Sequence, residues 1–101
     1  MHRHTGGFIF TQQFADFLRD KHHAEEAHHA GEVLSLEYVC CAEGEKAGMS
    51  WWKLTWISLL SAPAESHFKI GETCVFIHRQ SRRGLRDRLL HYAAGQVIVR
   101  K

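Results

Sequence analysis

The sequence predicts a single α+β domain over residues 1–101, in the order β-α-β-β-β-β-α-β, with a mostly antiparallel or mixed sheet and two helices. Three observations predict it. Two segments, one near each end, repeat apolar residues at helical spacing. Six stretches read as strands, apolar, alternating or rich in β-branched residues and bounded by Gly, Pro or polar clusters. At 101 residues, 45% hydrophobic and 24% charged, the chain has the composition and size of one globular core.

Phe8 to Phe10 is a short strand after Gly6-Gly7, and Thr11 is a candidate N-cap. Phe14, Phe17, Leu18 and Lys21 then share one helical face, and Gly31 ends the helix by Ala30 at the latest. From Val33 to Cys41, Leu34, Leu36, Tyr38 and Cys40 fall on one strand face, with Ser35 and Glu37 on the other. Residues 42–48 form a polar turn, and Ser50 to Leu60 returns antiparallel. Trp52, Leu54 and Trp56 lie on one face of that strand; Trp51, Lys53, Thr55, Ile57 and Leu59 lie on the other.

After the loop around Pro63, His67–Ile70 and Thr73–Arg79 are two strands joined by a tight Gly71-Glu72 turn. Ser81 is an N-cap for a second helix over 82–92, which carries Leu85, Leu89 and Tyr92 at helical spacing and stops at Gly95. Gln96 to Arg100 is the last strand.

Charge is divided unevenly. Residues 1–78 carry six Lys/Arg against ten Asp/Glu, and residues 79–101 carry seven against one. No apolar run approaches the roughly 18 residues of a membrane span. Three cysteines (Cys40, Cys41 and Cys74), with no apolar leader before Phe8, predict a cytoplasmic chain with reduced thiols.

Four constellations could carry chemistry. Arg79, Arg82, Arg83 and Arg86 form one stripe if 79–86 is helical, and guanidinium forks suit phosphate or carboxylate oxygens. The stripe predicts contact with nucleic acid or an acidic protein, against the plainer reading of a solvated helix face. His22, Glu25 or Glu26, and His29 share a helix side and could hold a zinc or nickel ion. The plainer reading is a polar, fraying helix end. Asp87 and His91 at i, i+4, with Cys74 or Cys40 as nucleophile, would make a Cys/His enzyme, a pairing that nine histidines also produce by chance. Trp51, Ile57 and Leu59 on one strand face predict either a homodimer interface or the second face of a two-layer core.

Four short segments resemble the HesB-like, A-type iron–sulfur carrier family. They are Phe8-Ile-Phe-Thr-Gln-Gln-Phe-Ala-Asp-Phe-Leu, Gly48-Met-Ser-Trp-Trp-Lys-Leu-Thr-Trp, Ile70-Gly-Glu-Thr-Cys-Val-Phe-Ile and Leu90-His-Tyr-Ala-Ala-Gly. The resemblance implies the fold and a dimer. It does not carry cluster transfer with it. The family's cysteine just before Gly-Met-Ser is replaced here by Ala47, and its C-terminal Cys-x-Cys is missing, because the sequence ends at Lys101.

Together these readings predict a small non-enzymatic binding module, homodimeric, without cofactor, that meets an acidic partner or polyanion through a basic C-terminal helix. A metal or iron–sulfur accessory protein is the alternative, followed by a Cys/His enzyme.

Overall fold

Thr11 shows how the sequence starts the first helix. Its backbone is extended, and its hydroxyl accepts a hydrogen bond from the Phe14 N–H at 3.2 Å, satisfying one of the unpaired amides of the first turn. This is seen in a computed structural model that describes residues 2–3, 8–41 and 50–100. The polar turn expected at 42–48, with Gly48-Met49, lies outside the described residues.

Helix α1 (Gln12–Glu25) turns Phe14, Ala15 and Leu18 inward and runs into a 3-10 turn (Glu26–His28). Gly31, at φ 77°, then reverses the chain, where a side chain would be strained.

Among the described residues eight strands make two four-stranded mixed sheets. In the first, the order is β1 (His2–Arg3), β2 (Ile9–Phe10), β7 (Leu89–Ala93), β8 (Gln96–Arg100). In the second it is β4 (Ser50–Ser58), β3 (Glu32–Cys41), β6 (Thr73–Ile77), β5 (His67–Ile70). The β3–β4 pairing is antiparallel and sets Leu34 opposite Trp56 and Leu36 opposite Leu54, with a bulge between Tyr38 and Cys40. Strands β5 and β6 form the expected hairpin across Gly71, at φ 65°.

The core joins Phe8, Phe10 and Leu90 of the first sheet region to Leu36, Trp52, Ile70, Val75 and Ile77 of the second, with α1 and Leu85 closing it. Complete burial of side chains such as Phe14, Leu18, Leu36 and Ile77 is worth about 1.5–3 kcal/mol each.

The α+β class and the two helices therefore hold, but the second helix is not where the spacing predicts it. Helix α2 covers only Arg79–Arg82, followed by a 3-10 turn at Arg83–Leu85, and 89–93 is strand β7. Three local features explain this. Asp87 adopts φ 58°, which breaks a right-handed helix and which Asp tolerates. Ala94 and Gly95 adopt φ 52° and 75°, the two left-handed positions of a two-residue hairpin turn, so Gly95 turns a hairpin and does not cap a helix. Gly84 passes so close to Trp52 that a Cβ would sit 3.1 Å from the ring, which fixes the segment against the core. Ser81 is correspondingly not an N-cap: His78 caps α2, and the buried Ser81 hydroxyl accepts from the Tyr38 amide at 3.3 Å.

Burial corrects one strand face as well. Val33 and Ser35 are buried alongside Leu34 and Leu36, so the first half of β3 is covered on both sides. The outer cover is a small cluster of Val33, Ala62 and Phe76 with Ile57 and Cys74 against it. Among the described residues no helix is long and apolar enough to cross a membrane.

Candidate functional site

Strands β4 and β8 are terminal strands of their respective sheets, and they lie beside one another. A cleft of about 910 Å³ opens there, a volume in the range of ligand sites. Phe17, Trp51, Trp52, Leu54 and Tyr92 supply its apolar and aromatic lining, and Lys21, Arg88 and Arg100 its cations.

Each group is placed by the local fold. Phe17 comes from the second turn of α1, and Tyr92 comes from β7; their rings stack at 3.8 Å and 5°. Trp52 is held from below by Gly84 and from its indole N–H, which donates to the Ser50 hydroxyl at 2.8 Å. Arg88 precedes β7, and Arg100 ends β8 opposite Leu89, so both arginines sit at the end of the hairpin remote from its turn. Lys21 already pairs with Glu25 at 2.8 Å. Among the described residues no carboxylate forms an ion pair with Arg88 or Arg100.

The cleft is bounded on its far side by charge. A shallower depression shares Phe17, Lys21 and Tyr92 with it and is lined by Asp16, Asp20 and Glu25. An anion is therefore favoured on the β8 side and repelled on the α1 side.

The arginine stripe is not continuous. Arg79 and Arg83 are exposed on the α2 turn, while Arg86 lies beyond the helical turns with extended backbone. Arg82 is taken up by the fold: its guanidinium lies 5.5 Å from the Phe68 ring centre, and its Nε is buried and among the described residues has no hydrogen-bond partner.

The histidine constellation also separates. His22 pairs with Glu26 at 3.3 Å, whereas His29 pairs with Glu32 at 3.0 Å and stacks flat on Trp56. Among the described residues no three His, Cys, Asp or Glu side chains are placed to hold a metal ion. Glu25 is instead committed to Trp56, whose indole N–H donates to it at 2.9 Å.

The Asp87–His91 pairing expected on a helix disappears with that helix. His91 is on β7, with its Nδ1 2.9 Å from the Thr11 hydroxyl. A different pair appears in its place. Cys74 Sγ lies 3.8 Å from Nδ1 of His67, and His67 Nε2 is 2.8 Å from the Ala62 carbonyl. A carbonyl only accepts, so Nε2 carries the proton and, in a neutral ring, Nδ1 offers its lone pair to the thiol.

The expected dimer patch is divided. Trp51 and Leu59 are 41% and 47% exposed, but Ile57 is packed against the Val33–Phe76 cluster, which the chain's own Ala62 covers.

Arg88 and Arg100 were visible in the sequence as part of the C-terminal positive charge. Their meeting with Trp52 and Tyr92 depends on the β7–β8 hairpin, which the helical spacing of 85, 89 and 92 conceals. Comparison of the chain with protein-family models, curated proteins and solved structures gives no significant match.

Proposed function

We propose that this chain is a cytoplasmic, non-enzymatic binding module whose β4–β8 cleft holds an acidic partner or polyanion. One observation carries the proposal: two arginines that among the described residues have no carboxylate partner, Arg88 and Arg100, stand at one end of a cleft walled by aromatic and aliphatic side chains. Guanidinium groups favour carboxylate and phosphate oxygens, and low-dielectric walls strengthen the attraction. The exposed Arg79, Arg83 and Arg86 extend the positive field and attract the same class of partner over a longer range. The free thiols Cys40 and Cys74 are in keeping with a reducing compartment.

The test is salt-dependent retention on heparin. The double variant Arg88→Glu/Arg100→Glu is expected to elute at much lower salt than the wild type, while Arg79→Glu/Arg83→Glu shifts less. Equal retention of wild type and Arg88→Glu/Arg100→Glu contradicts the proposal.

A second reading has the Cys74–His67 pair behind it. A thiol facing an imidazole that is oriented by a carbonyl is the arrangement of an activated nucleophile. Iodoacetamide labelling at pH 7 tests it: accelerated alkylation of Cys74 that falls in His67→Ala supports this reading, and an ordinary thiol rate removes it.

A further inference from the structure

Every residue from Gly95 to Arg100 lines the cleft, without the alternation a strand shows when it presents a face. The cleft therefore runs along the edge of β8. Among the described residues β8 pairs only with β7, so this edge offers backbone hydrogen-bonding groups to whatever occupies the cleft.

The hairpin turn fixes which groups are offered. Ala93 pairs with Gln96 across the two-residue turn at Ala94-Gly95. In such a hairpin the pair next to the turn is hydrogen-bonded and the following pair is not. Gln96, Ile98 and Arg100 accordingly direct N–H and C=O toward β7, while Val97 and Val99 direct theirs into the cleft. The Val97 and Val99 side chains stay packed on the core, so these backbone groups are held on a rigid rail.

From this we infer that the cleft takes an extended peptide segment, with apolar residues at alternate positions and acidic ones at the end beside Arg88 and Arg100, as an added strand on β8. The inference rests on the proposed anion-binding role of the cleft and names its occupant. Main-chain bonds to Val97 and Val99 provide the attachment, as in strand addition generally. Trp52, Leu54 and the stacked Phe17–Tyr92 pair receive the apolar side chains; Arg88 and Arg100 receive the acidic ones. Length agrees with this: the five residues of β8 extend over roughly 17 Å, which an added strand of five or six residues matches. A single-stranded nucleic acid would use the same arginines and rings, but its sugar–phosphate backbone has no N–H donors for the Val97 and Val99 carbonyls, so the edge geometry favours the peptide.

The experiment uses the full chain and a terminally blocked peptide of six alternating glutamate and valine residues. A second version is N-methylated on every other amide along each edge in turn, and oligodeoxythymidylate and heparin serve as anions that cannot add as strands. Amide hydrogen exchange is followed by NMR.

The expected result is that the peptide binds, exchange at the Val97 and Val99 amides slows about tenfold or more, and N-methylation along one edge lowers affinity about tenfold or more. Binding of the peptide without slowed exchange at Val97 and Val99 overturns strand addition while leaving the anion-binding role of the cleft intact. Binding of the nucleic acid or heparin in the cleft without the peptide does the same. If no anion binds there, both the inference and the role on which it rests are overturned. Arg88→Glu, with its unfolding temperature measured alongside, is expected to weaken peptide binding without loss of fold. Unchanged affinity in that variant contradicts the charge matching.

Discussion

The rings of Phe17 and Tyr92 lie face to face, 3.8 Å apart and 5° from parallel, and tie helix α1 to strand β7 at the base of the cleft. Each residue is half-buried against the main core, so the pair links folding stability to the shape of the site. Tyr92→Ala is expected to destabilise the protein by about 2–3 kcal/mol, combining lost apolar burial with a lost aromatic pair. Urea unfolding followed by tryptophan fluorescence measures this; a loss below about 0.5 kcal/mol would show that the stack bears no load.

Ala94 holds φ 52°, a left-handed position that an L-alanine adopts at a cost of about 1–2 kcal/mol. Ala94→Asn creates Asn-Gly, the favoured pair for this turn, and is expected to raise stability by about 0.5–1 kcal/mol. The same substitution at the end of a helix over 82–92 would bring no such gain. Thermal unfolding therefore separates the hairpin from the helix, and an unchanged or lower unfolding temperature argues against the hairpin.

Gly84→Ala places a methyl 3.1 Å from Cζ2 of Trp52. Trp52 is 8% exposed and packed in the core, so the ring or the 83–85 turn must shift, and the substitution is expected to cost about 1–3 kcal/mol. Because Trp52 also lines the cleft, heparin elution should fall to lower salt in this variant at temperatures where it remains folded. Wild-type stability and wild-type elution together would remove Gly84 from the account.

Glu25 is held below the ordinary glutamate range, first by its hydrogen bond with Lys21 and then by the Trp56 indole N–H; partial desolvation opposes both. A carboxyl with a depressed folded-state pKa contributes stability that is present above its unfolded value, near pH 4.3, and is lost as pH falls through the folded value. Trp56→Phe keeps an aromatic ring but removes the donor, so the Glu25 midpoint is expected to rise. Carbon-detected NMR titration of the Glu25 carboxyl reads this directly. An unchanged midpoint means that the indole bond does not form in solution.

Most elements could be read in the sequence because local chemistry and long-range packing agree there. Thr11 looks like a cap and caps; Phe14 and Leu18 share a helical face and are fully buried; Gly71 sits between two alternating runs and turns a hairpin. The failure at 82–92 has a physical cause. Leu85, Leu89 and Tyr92 fit a helical period, but Leu90 and Tyr92 fit a strand period equally well, and pairing with β2 and β8, together with the left-handed Asp87 and Ala94-Gly95, decides between them. Ala-Ala-Gly before the β-branched run at 97–99 was the available signal for a hairpin, and Gly84 and Asp87 were the available signals against a helix. The site was lost with the hairpin. A stripe of Arg79, Arg82, Arg83 and Arg86 needs two full helical turns, and the chain provides only the short stretch from Arg79 to Leu85. The cleft could not be read from any one segment, since α1, β4, β7 and β8 each contribute to it.

The most direct test of the central claim, that the β4–β8 cleft receives the anionic partner, is amide chemical-shift mapping of the full chain during titration with a short heparin oligosaccharide. The account predicts that the largest shifts fall on Val97–Arg100, Arg88 and Ser50–Leu54. Largest shifts on Arg79, Arg83 and Arg86, with the cleft unmoved, would contradict it.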